Sequence, residues 1–313
     1  MYLKLLKCLA LVAALSGAIG NTTATAAGYE NEHLLVTADR LAEITKIERT
    51  FALMGGPDVF RIIDVRSPSA YAEGHLPQAI NIPFNELTDP DAHIKGALKP
   101  DEMLADMFIK AGLNGDTRIV LYDDQGGFRA ARLFWLLEYY GHKNVGILNG
   151  GIQAWQAAGN LLVAGYARPK LTGSAGAGKS GRAKFSINRT PRRIASADWI
   201  LERKDNPDVR VIDVRPADMF AGGHIPWARN IPWKGNLNPD LTMKSASELR
   251  EHFLAQGISP ENNVVVHCQN GEASAHTYFA LRLLGYPRVR TYHRSWAEWG
   301  ASDDLPKAFG MSG

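Results

Sequence analysis

The sequence predicts an α/β fold made of two similar domains, each a mostly parallel sheet with helices on both faces. The main observation is an internal repeat, in which three motifs recur 149 residues later. Short β-branched runs that alternate with amphipathic segments are the second observation. The repeated motifs are Asp64-Val65-Arg66 with Asp213-Val214-Arg215, Gly74-His75-Leu76-Pro77 with Gly223-His224-Ile225-Pro226, and Asn81-Ile82-Pro83 with Asn230-Ile231-Pro232.

Each half contains three runs that are typical of buried strands. They cover residues 59–65, 119–122 and 145–148 in the first half, and residues 209–214, 264–267 and 289–292 in the second. Continuous apolar strands of this kind suit a parallel sheet that is covered on both faces. Helix starts are predicted at Thr37 and Ser196, and Ser245 with Glu248 forms a capping box before residues 249–256.

Residues 1–26 have the pattern of a cleavable signal peptide. Lys4 and Lys7 precede an apolar run over residues 8–19, and Ala24-Thr25-Ala26 ends a stretch of small residues. The apolar run is too short to span a bilayer as a mature helix. We therefore expect a periplasmic or secreted protein that is not held in the membrane once the signal has been removed.

The composition and the charge narrow the class of partner. The chain has 313 residues, of which 45% are hydrophobic and 21% charged, so it is neither disordered nor fibrous. Its net charge of +3 falls to +1 when residues 1–26 are removed. Such a slight excess does not indicate nucleic acid or an anionic membrane as the main partner. A small molecule is expected instead.

The predicted domains cover residues 27–158 and 193–313, and a linker over residues 159–192 joins them. The linker is rich in Gly, Lys, Arg and Ser. Its residues 173–180, GSAGAGKS, match the phosphate-binding pattern G-x-x-x-x-G-K-S. That chemistry needs a strand before the loop and a helix after it, and the flanking sequence offers neither. The match is interpreted as a consequence of composition, and an ATPase is not predicted.

Removal of residues 1–26 leaves one cysteine, Cys268. A single thiol forms no internal disulfide and lacks the ligand spacing of a structural zinc site, so no metal is expected. An unpaired thiol in an oxidising compartment is a liability unless it is buried or used.

The repeat separates shared features from unique ones. Features present in both halves are most simply explained by the fold, whereas those in one half are candidates for function. The shared residues are interpreted as an Asp–Arg pair at a strand end and a His that ties a turn before proline: Asp64 and Asp213, Arg66 and Arg215, His75 and His224.

Cys268 belongs to one half only. It follows a predicted strand and opens the cysteine loop, residues 268–273, which leads into a predicted helix over residues 274–284; Asp123 stands at the equivalent place in the first half. In open α/β sheets ligands bind at the carboxyl ends of strands. The unpaired N–H groups of the helix stabilise a thiolate there and can hold an anion or an extra sulfur atom. The alternative is an inert buried cysteine.

At these motifs the chain resembles the tandem-domain rhodaneses, a family of sulfurtransferases, over about residues 30–308. The resemblance rests on D-V-R, G-H-[IL]-P-x-A-x-N-I-P and C-x-x-G, with Asp in place of Cys in the first half. It implies a catalytically silent N-terminal domain and no metal or organic cofactor. It also implies that Cys268 is a nucleophile that accepts sulfur from thiosulfate or 3-mercaptopyruvate as a persulfide and passes it to cyanide or a thiol.

The resemblance further implies which residues bind the substrate. The N–H groups of the cysteine loop would bind the persulfide, through Gln269, Asn270, Gly271, Glu272 and Ala273. Glu272 fits neither donor class, and the loop favours thiosulfate slightly over 3-mercaptopyruvate. Many relatives have a substrate-binding Arg where this chain has Asp218-Met219-Phe220. Arg215 and Arg129 are therefore the candidates for a cationic contact.

Two histidines near Cys268 are not assigned catalytic roles. In an extended strand His267 points to the face opposite that of its neighbour Cys268, so it is not expected to act as the base for the thiol. His276, on the following helix, is expected to be an ordinary packed residue.

Two rival functions are considered. Rhodanese-like phosphatases need an Arg at the position that Ser274 occupies, so phosphatase activity is not favoured. A non-enzymatic periplasmic carrier or binding protein, which passes sulfur to a protein acceptor, stays open.

Overall fold

The structure is a computed structural model that describes residues 28–53, 60–165 and 185–310. The predicted signal peptide, residues 1–26, and the GSAGAGKS segment, residues 173–180, lie outside the described residues.

The described part of the N-terminal domain contains a sheet of five strands in the order β1-β5-β4-β2-β3. Every neighbouring pair of strands is parallel. The three predicted strands are confirmed as β2, β4 and β5, and no end differs from its prediction by more than one residue. The strands β1 and β3 were not predicted. The strands are β1 (Leu35–Val36), β2 (Phe60–Asp64), β3 (Ala79–Asn81), β4 (Arg118–Tyr122) and β5 (Val145–Leu148).

Helices cover both faces of this sheet. They are α1 (Ala38–Leu53), α2 (Pro68–Glu73), α3 (Asp101–Lys110), α4 (Ala130–Tyr139) and α5 (Gly151–Ala157). Residues from α1, α2 and α5 pack with one set of strand side chains, including Ile62 and Val120. Residues from α3 and α4 pack with the alternate set, including Ile63 and Leu121. This alternation is the period of two that a strand imposes, and it confirms the predicted two-sided covering.

The described part of the C-terminal domain repeats the plan with four strands in the order β7-β6-β8-β9, all parallel. The strands are β6 (Val209–Asp213), β7 (Ala228–Asn230), β8 (Asn263–His267) and β9 (Val289–Thr291). The helices are α6 (Ala197–Leu201), α7 (Ala217–Ala221), α8 (Ala246–Ala255), α9 (Glu272–Leu283) and α10 (Ser295–Trp299). The predicted capping box of Ser245 and Glu248 is confirmed at the start of α8.

The two domains share one apolar core along α4 and α9. Phe134 and Phe279 meet edge to face at 4.9 Å between ring centroids. The Glu138 carboxylate accepts hydrogen bonds from Tyr278 and from Arg282 across the same interface. This packing places each domain's helix against the strand-end loop of the other domain.

The described ends of the predicted linker pack on the N-terminal domain. Val163 pairs with His75 in an antiparallel bridge. The Phe185 ring lies 4.9 Å from that of Phe108 and belongs to the core. Isolated apolar residues at both described ends of a polar segment thus find partners in the N-terminal domain.

The shared Asp, Arg and His residues have the structural roles predicted for them. Arg66 and Arg215 make fork-like bonds to Asp64 and Asp213 two residues earlier, with closest N–O distances of 2.6 Å in both domains. The histidines bond through Nδ1 to backbone carbonyls four residues earlier and stack on the ring of the same residue.

Within the described ranges, the structure has no helix that is both long and apolar enough to cross a membrane.

Candidate active site

Cys268 lies between the carboxyl end of β8 and the first turn of α9. Its side chain is a free thiol, and the residue is 2% exposed. The N–H group of Gly271 donates to the Cys268 sulfur at 3.1 Å, and the Cys268 N–H group donates to Ser295 Oγ at 3.0 Å. The cysteine loop therefore directs a backbone donor at the sulfur, as was expected of a loop that leads into a helix.

Gly271 allows this close packing of the loop. Its φ is +84°, a conformation that L side chains rarely adopt. A Cβ atom at this position would lie 2.1 Å from the His293 carbonyl oxygen and 2.3 Å from Arg132 Nη1. Any other residue would have to displace the backbone on one side or a buried cation on the other.

The first residues of α10 also hold the cysteine loop in place. The carbonyls of Cys268 and Gln269 accept the N–H groups of Trp296 at 3.0 Å and Ala297 at 2.8 Å. Ser295 has a φ of +55°, which is uncommon for a residue other than glycine. Its hydroxyl donates to the Tyr292 carbonyl and lies 3.9 Å from the Cys268 sulfur. A strained residue thus supplies the acceptor for the Cys268 N–H group.

The predicted loop residues lie together, as residues of one loop must. Glu272 is the first residue of α9, where the helix dipole favours a carboxylate. Its Oε1 accepts a hydrogen bond from Asn270 Nδ2 at 2.9 Å. Ala273 packs partly against the shared core. The carboxylate that fits neither donor class is therefore bonded to a neighbouring amide.

Arg215 lies beside the cysteine loop but is 3% exposed. Its Nε and Nη2 atoms bond to Asp213 and to the Gly223 carbonyl. The remaining Nη1 atom lies 3.4 Å from Gln269 Oε1. Arg215 contacts the loop through Gln269, and most of its donors already have partners in the protein.

Arg129 lies in the aspartate loop, residues 123–129. Its Nη1 atom pairs with Asp124 at 3.3 Å, and its side chain is 33% exposed. Its backbone N–H group donates to Asp123 Oδ2 at 2.7 Å. The polar contact described for the Arg129 side chain is with a residue of its own loop.

Arg132, which was not predicted, contacts the cysteine loop from the N-terminal domain. This fully buried side chain belongs to α4. Its Nη1 donates to the Gly271 carbonyl and its Nη2 to the Gly96 carbonyl, each at 2.7 Å. Burial lowers the pKa of Arg132 to about 10, and the charges of Cys268 and Glu272 oppose that shift. The one available signal was an arginine within the otherwise apolar sequence of residues 130–137.

Neither nearby histidine is described in contact with the sulfur. His267 is fully buried, with Nδ1 at 3.4 Å from the Cys268 carbonyl and Nε2 at 3.7 Å from Asp213 Oδ2. Burial lowers its pKa, so it is uncharged near neutral pH. His276 lies at the domain interface with Nε2 at 3.2 Å from the Gly126 carbonyl, and burial lowers its pKa to about 4.

The backbone of the aspartate loop binds the carboxylate of Asp123, which belongs to the loop itself. The buried Asp123 carboxylate accepts four backbone N–H groups, those of Gln125, Gly127, Arg129 and Ala130, at 2.7 to 3.0 Å. Burial raises the pKa of Asp123, and these four donors oppose the rise. The strand-loop-helix shape common to both domains is thus able to direct several amides at one negatively charged group.

The site can support nucleophilic chemistry at sulfur. Ser274 stands at the position where a phosphatase needs Arg, so this position supplies no guanidinium to hold a phosphate. The Ser274 side chain is fully buried. Among the residues described, no group of three or more His, Cys, Asp or Glu side chains could hold a metal ion.

Comparison with known proteins identifies the family. The rhodanese-like domain family matches residues 50–158 and 196–302, so the chain belongs to this family and contains two such domains. A thiosulfate sulfurtransferase of Azotobacter vinelandii is 33% identical over 265 residues, which are 82% of this chain and 93% of that protein. A 3-mercaptopyruvate sulfurtransferase of Escherichia coli K12 is 30% identical over 75% of this chain and 84% of that protein.

A third relative bears a different name. A sulfur carrier protein of Thermus thermophilus is 33% identical over 305 residues, which are 90% of this chain and 99% of that protein. Two named sulfurtransferases and a named carrier therefore match this chain at similar identity.

Solved structures show the same fold. A variant of EanB in complex with ergothioneine superposes with a TM-score of 0.76 at 23% identity, over 91% of this chain and 72% of that one. The crystal structure of YnjE gives a TM-score of 0.75 at 24% identity, over 91% of this chain and 70% of that one.

The fold and the site define a tandem-domain rhodanese with a single strand-end cysteine. Since relatives that match most of its length are sulfurtransferases, the chain is a sulfurtransferase of this family.

Proposed function

We propose that this sulfurtransferase moves a sulfane sulfur from thiosulfate to cyanide or a thiol through a persulfide on Cys268. The observation that carries the proposal is the free Cys268 thiol, which accepts the Gly271 N–H group at the start of a twelve-residue helix. The equivalent loop of the other domain directs four amides at a carboxylate. A thiolate or a persulfide at Cys268 is the corresponding anion.

The reaction proceeds by double displacement. The Cys268 thiolate attacks the outer sulfur of thiosulfate, a new S–S bond forms, and sulfite leaves with the electron pair of the broken S–S bond. Cyanide then attacks the outer sulfur of the persulfide. Thiocyanate leaves, and the Cys268 thiolate is regenerated.

The protein's contribution is to bind the negative charge that moves between sulfur atoms. Gly271 supplies one N–H group at 3.1 Å, and the first turn of α9 supplies donors that have no partner within the helix. Preorganised donors of this kind stabilise developing charge without having to reorient during the reaction.

Thiosulfate is the preferred donor, and 3-mercaptopyruvate is the second. Relatives from Azotobacter vinelandii and Pseudomonas aeruginosa are named thiosulfate sulfurtransferases, at 33% and 31% identity. The Glu272 carboxylate, which could repel an anionic donor, is bonded to Asn270. This hydrogen bond fixes the direction of the carboxylate but leaves its negative charge, so the order of donors rests on the names of the relatives.

Thiocyanate release from cyanide tests the proposal, with each donor supplied separately. We expect turnover with thiosulfate, slower turnover with 3-mercaptopyruvate, and none with Cys268→Ser. The absence of turnover with either donor would contradict the small-molecule enzyme. A higher kcat/KM with 3-mercaptopyruvate would reverse the order of donors.

A sulfur carrier is the second candidate function, and the name of the Thermus thermophilus relative supports it. In that case Cys268 would accept sulfur readily, and its acceptor would be another protein. Persulfide formation, followed by the mass of the intact protein, together with slow release to cyanide would favour the carrier over the enzyme.

We also propose that residues 1–26 direct export and that the mature protein is periplasmic or secreted. The support is the order of basic, apolar and small residues along this segment. Expression in a Gram-negative host should yield a shortened chain in the periplasmic fraction. A full-length chain found only in the cytoplasm would contradict the proposal.

A further inference from the structure

Arg132 is a buried cation that has no carboxylate partner among its described contacts. The side chain is fully buried, and its two described hydrogen bonds go to the carbonyls of Gly271 and Gly96. Its Nε atom has no described partner. A guanidinium removed from water in this way costs several kcal/mol unless a negative charge compensates. Packing alone does not explain it, because an apolar side chain of similar volume would fill the space at no such cost.

The negative charges that favour its ionised form belong to the cysteine loop. The charges of Cys268 and Glu272 act to keep Arg132 protonated against the effect of burial. Glu272 is only partly buried and bonds to Asn270. The sulfur of Cys268, which is 2% exposed, accepts the N–H group of Gly271, and the carbonyl of the same residue accepts from Arg132, so one residue separates the cation from the sulfur.

We propose that Arg132 of the N-terminal domain is a positioning residue. It fixes the cysteine loop in the conformation whose N–H groups face the transferred sulfur, and it provides the counter-charge for Cys268. The proposal rests on the sulfurtransferase function proposed above, whose N-terminal domain would then be silent in chemistry but not in the construction of the site.

The aspartate loop supports the positioning role. There the Gly126 carbonyl contacts His276 of the other domain, and the next N–H group, that of Gly127, points to Asp123. The C=O and N–H groups of one trans peptide point in opposite directions. When Arg132 holds the Gly271 carbonyl, the N–H group of Glu272 is turned away from the guanidinium in the same manner. Without Arg132 this peptide loses the side-chain donor that fixes the direction of its oxygen.

The second carbonyl that Arg132 binds also touches the loop. A Cβ atom at Gly96, whose φ is +83°, would lie 2.1 Å from the Asn270 carbonyl oxygen. The guanidinium therefore joins two backbone segments, from different domains, that are already in close contact. Arg132 fixes the separation of these segments as well as the direction of one peptide.

The test compares three variants in steady-state sulfur transfer from thiosulfate to cyanide. For Arg132→Met we expect kcat to fall on the order of 10- to 100-fold because the reacting sulfur is misplaced. The KM for thiosulfate should change by less than about threefold, since Arg132 does not bind the donor. Arg132→Lys keeps the charge and should recover part of kcat.

Arg282→Met is the matched control. Arg282 is also an interface arginine, but it pairs with Glu138 at a place away from the cysteine loop. It should leave kcat unchanged, and the Tm of each variant is measured beside kcat so that a loss of folding is distinguished from a loss of turnover. If both variants lose kcat to the same extent, or if Arg132→Met raises KM at constant kcat, the positioning role is wrong.

Alkylation of Cys268 by iodoacetamide at fixed pH separates this proposal from the function on which it rests. The reaction needs no sulfur donor, so it reports on the loop even if the wild-type protein transfers no sulfur. Arg132→Met should be alkylated on the order of tenfold more slowly than Arg282→Met because the sulfur anion loses its counter-charge. Equal rates in the two variants would overturn the proposal.

Discussion

The aspartate loop and the cysteine loop have the same position in their domains and contain different groups. Each follows a central strand and precedes a helix, β4 and α4 in one domain and β8 and α9 in the other. In each, a side chain of the opposite domain contacts the carbonyl of the loop glycine, His276 for Gly126 and Arg132 for Gly271. The partner of the aspartate loop is uncharged, whereas that of the cysteine loop is a cation.

This difference shows which part of the site belongs to the fold and which to the chemistry. A loop that directs backbone N–H groups at the side chain of its first residue is present in both domains, with four donors described for Asp123 and one for Cys268. The thiol and the buried cation are found in the second site only. The repeat thus preserves the backbone of the loop, and the proposed reactivity depends on the two side chains placed around it.

The largest effect should come from making the cysteine loop resemble the aspartate loop. Cys268→Asp should abolish thiocyanate formation as completely as Cys268→Ser does. Its unfolding free energy should exceed that of Cys268→Ser by about 1–2 kcal/mol, since a carboxylate accepts charge-assisted bonds from the loop amides. Urea unfolding of the two variants measures this difference. A less stable Asp variant would mean that the cysteine loop does not bind anions as its counterpart does.

The converse change removes the internal anion. Asp123→Ala leaves four buried N–H groups without their acceptor and should lower the unfolding free energy by about 3–5 kcal/mol. Asp123→Asn retains one oxygen acceptor and should lose less. Both should keep their sulfur transfer per folded molecule, because Cys268 is unaltered. Urea titration and the cyanide assay on the same samples check this; a loss of turnover without a loss of stability would contradict a structural role.

A third difference concerns pH. The pKa of His276 is lowered by burial to about 4, so the folded protein keeps this residue uncharged in a range where the unfolded chain binds a proton. Stability is therefore lost as pH falls from about 6.5 to about 4, by about 3 kcal/mol for this group. Arg132, which contacts the corresponding glycine carbonyl of the cysteine loop, stays charged throughout that range.

His276→Gln keeps a side-chain N–H donor near the Gly126 carbonyl without titrating, so unfolding free energies at pH 7 and pH 4.5 should differ less than in the wild type. The difference should not vanish, because burial also lowers the pKa of His293, to about 3. An unchanged difference would show that His276 does not contribute to the acid sensitivity.

The features that the sequence predicted are those that depend on residues close together in the chain. The β-branched runs, the Ser245 cap and the Asp–Arg pairs two residues apart each depend on neighbours in the chain. The strands β3 and β7 were not predicted because three residues that end in Asn are too short to show a period. They form because they add to the edge of a sheet that the longer strands have already built.

The parts of the site that come from the other domain could not be predicted. Arg132 and Gly271 are 139 residues apart, and only the packing of α4 on α9 brings them together. The repeat itself contained one unused signal: at the offset of 144 that aligns Trp155 with Trp299, Ser295 replaces Gly151. Both residues have positive φ, +55° and +59°, so the C-terminal domain has a side chain where the N-terminal domain has glycine.

The smallest effect we expect separates the hydroxyl of Ser295 from the strain of its backbone. Ser295→Gly and Ser295→Ala both remove the acceptor of the Cys268 N–H group, so both should lower kcat by the same factor, on the order of 2- to 5-fold, in line with one neutral hydrogen bond. Glycine relieves the positive φ and alanine does not, which should make Ser295→Gly more stable by about 1 kcal/mol.

Thermal unfolding and the cyanide assay on this pair distinguish two explanations of the serine. Equal activities with unequal stabilities would show that the hydroxyl acts on Cys268 and that the strain is only its cost. If the glycine variant instead transfers sulfur as fast as the wild type, the hydroxyl is dispensable. A glycine at residue 295 would then be sufficient for the cysteine loop, as Gly151 is for the aspartate loop.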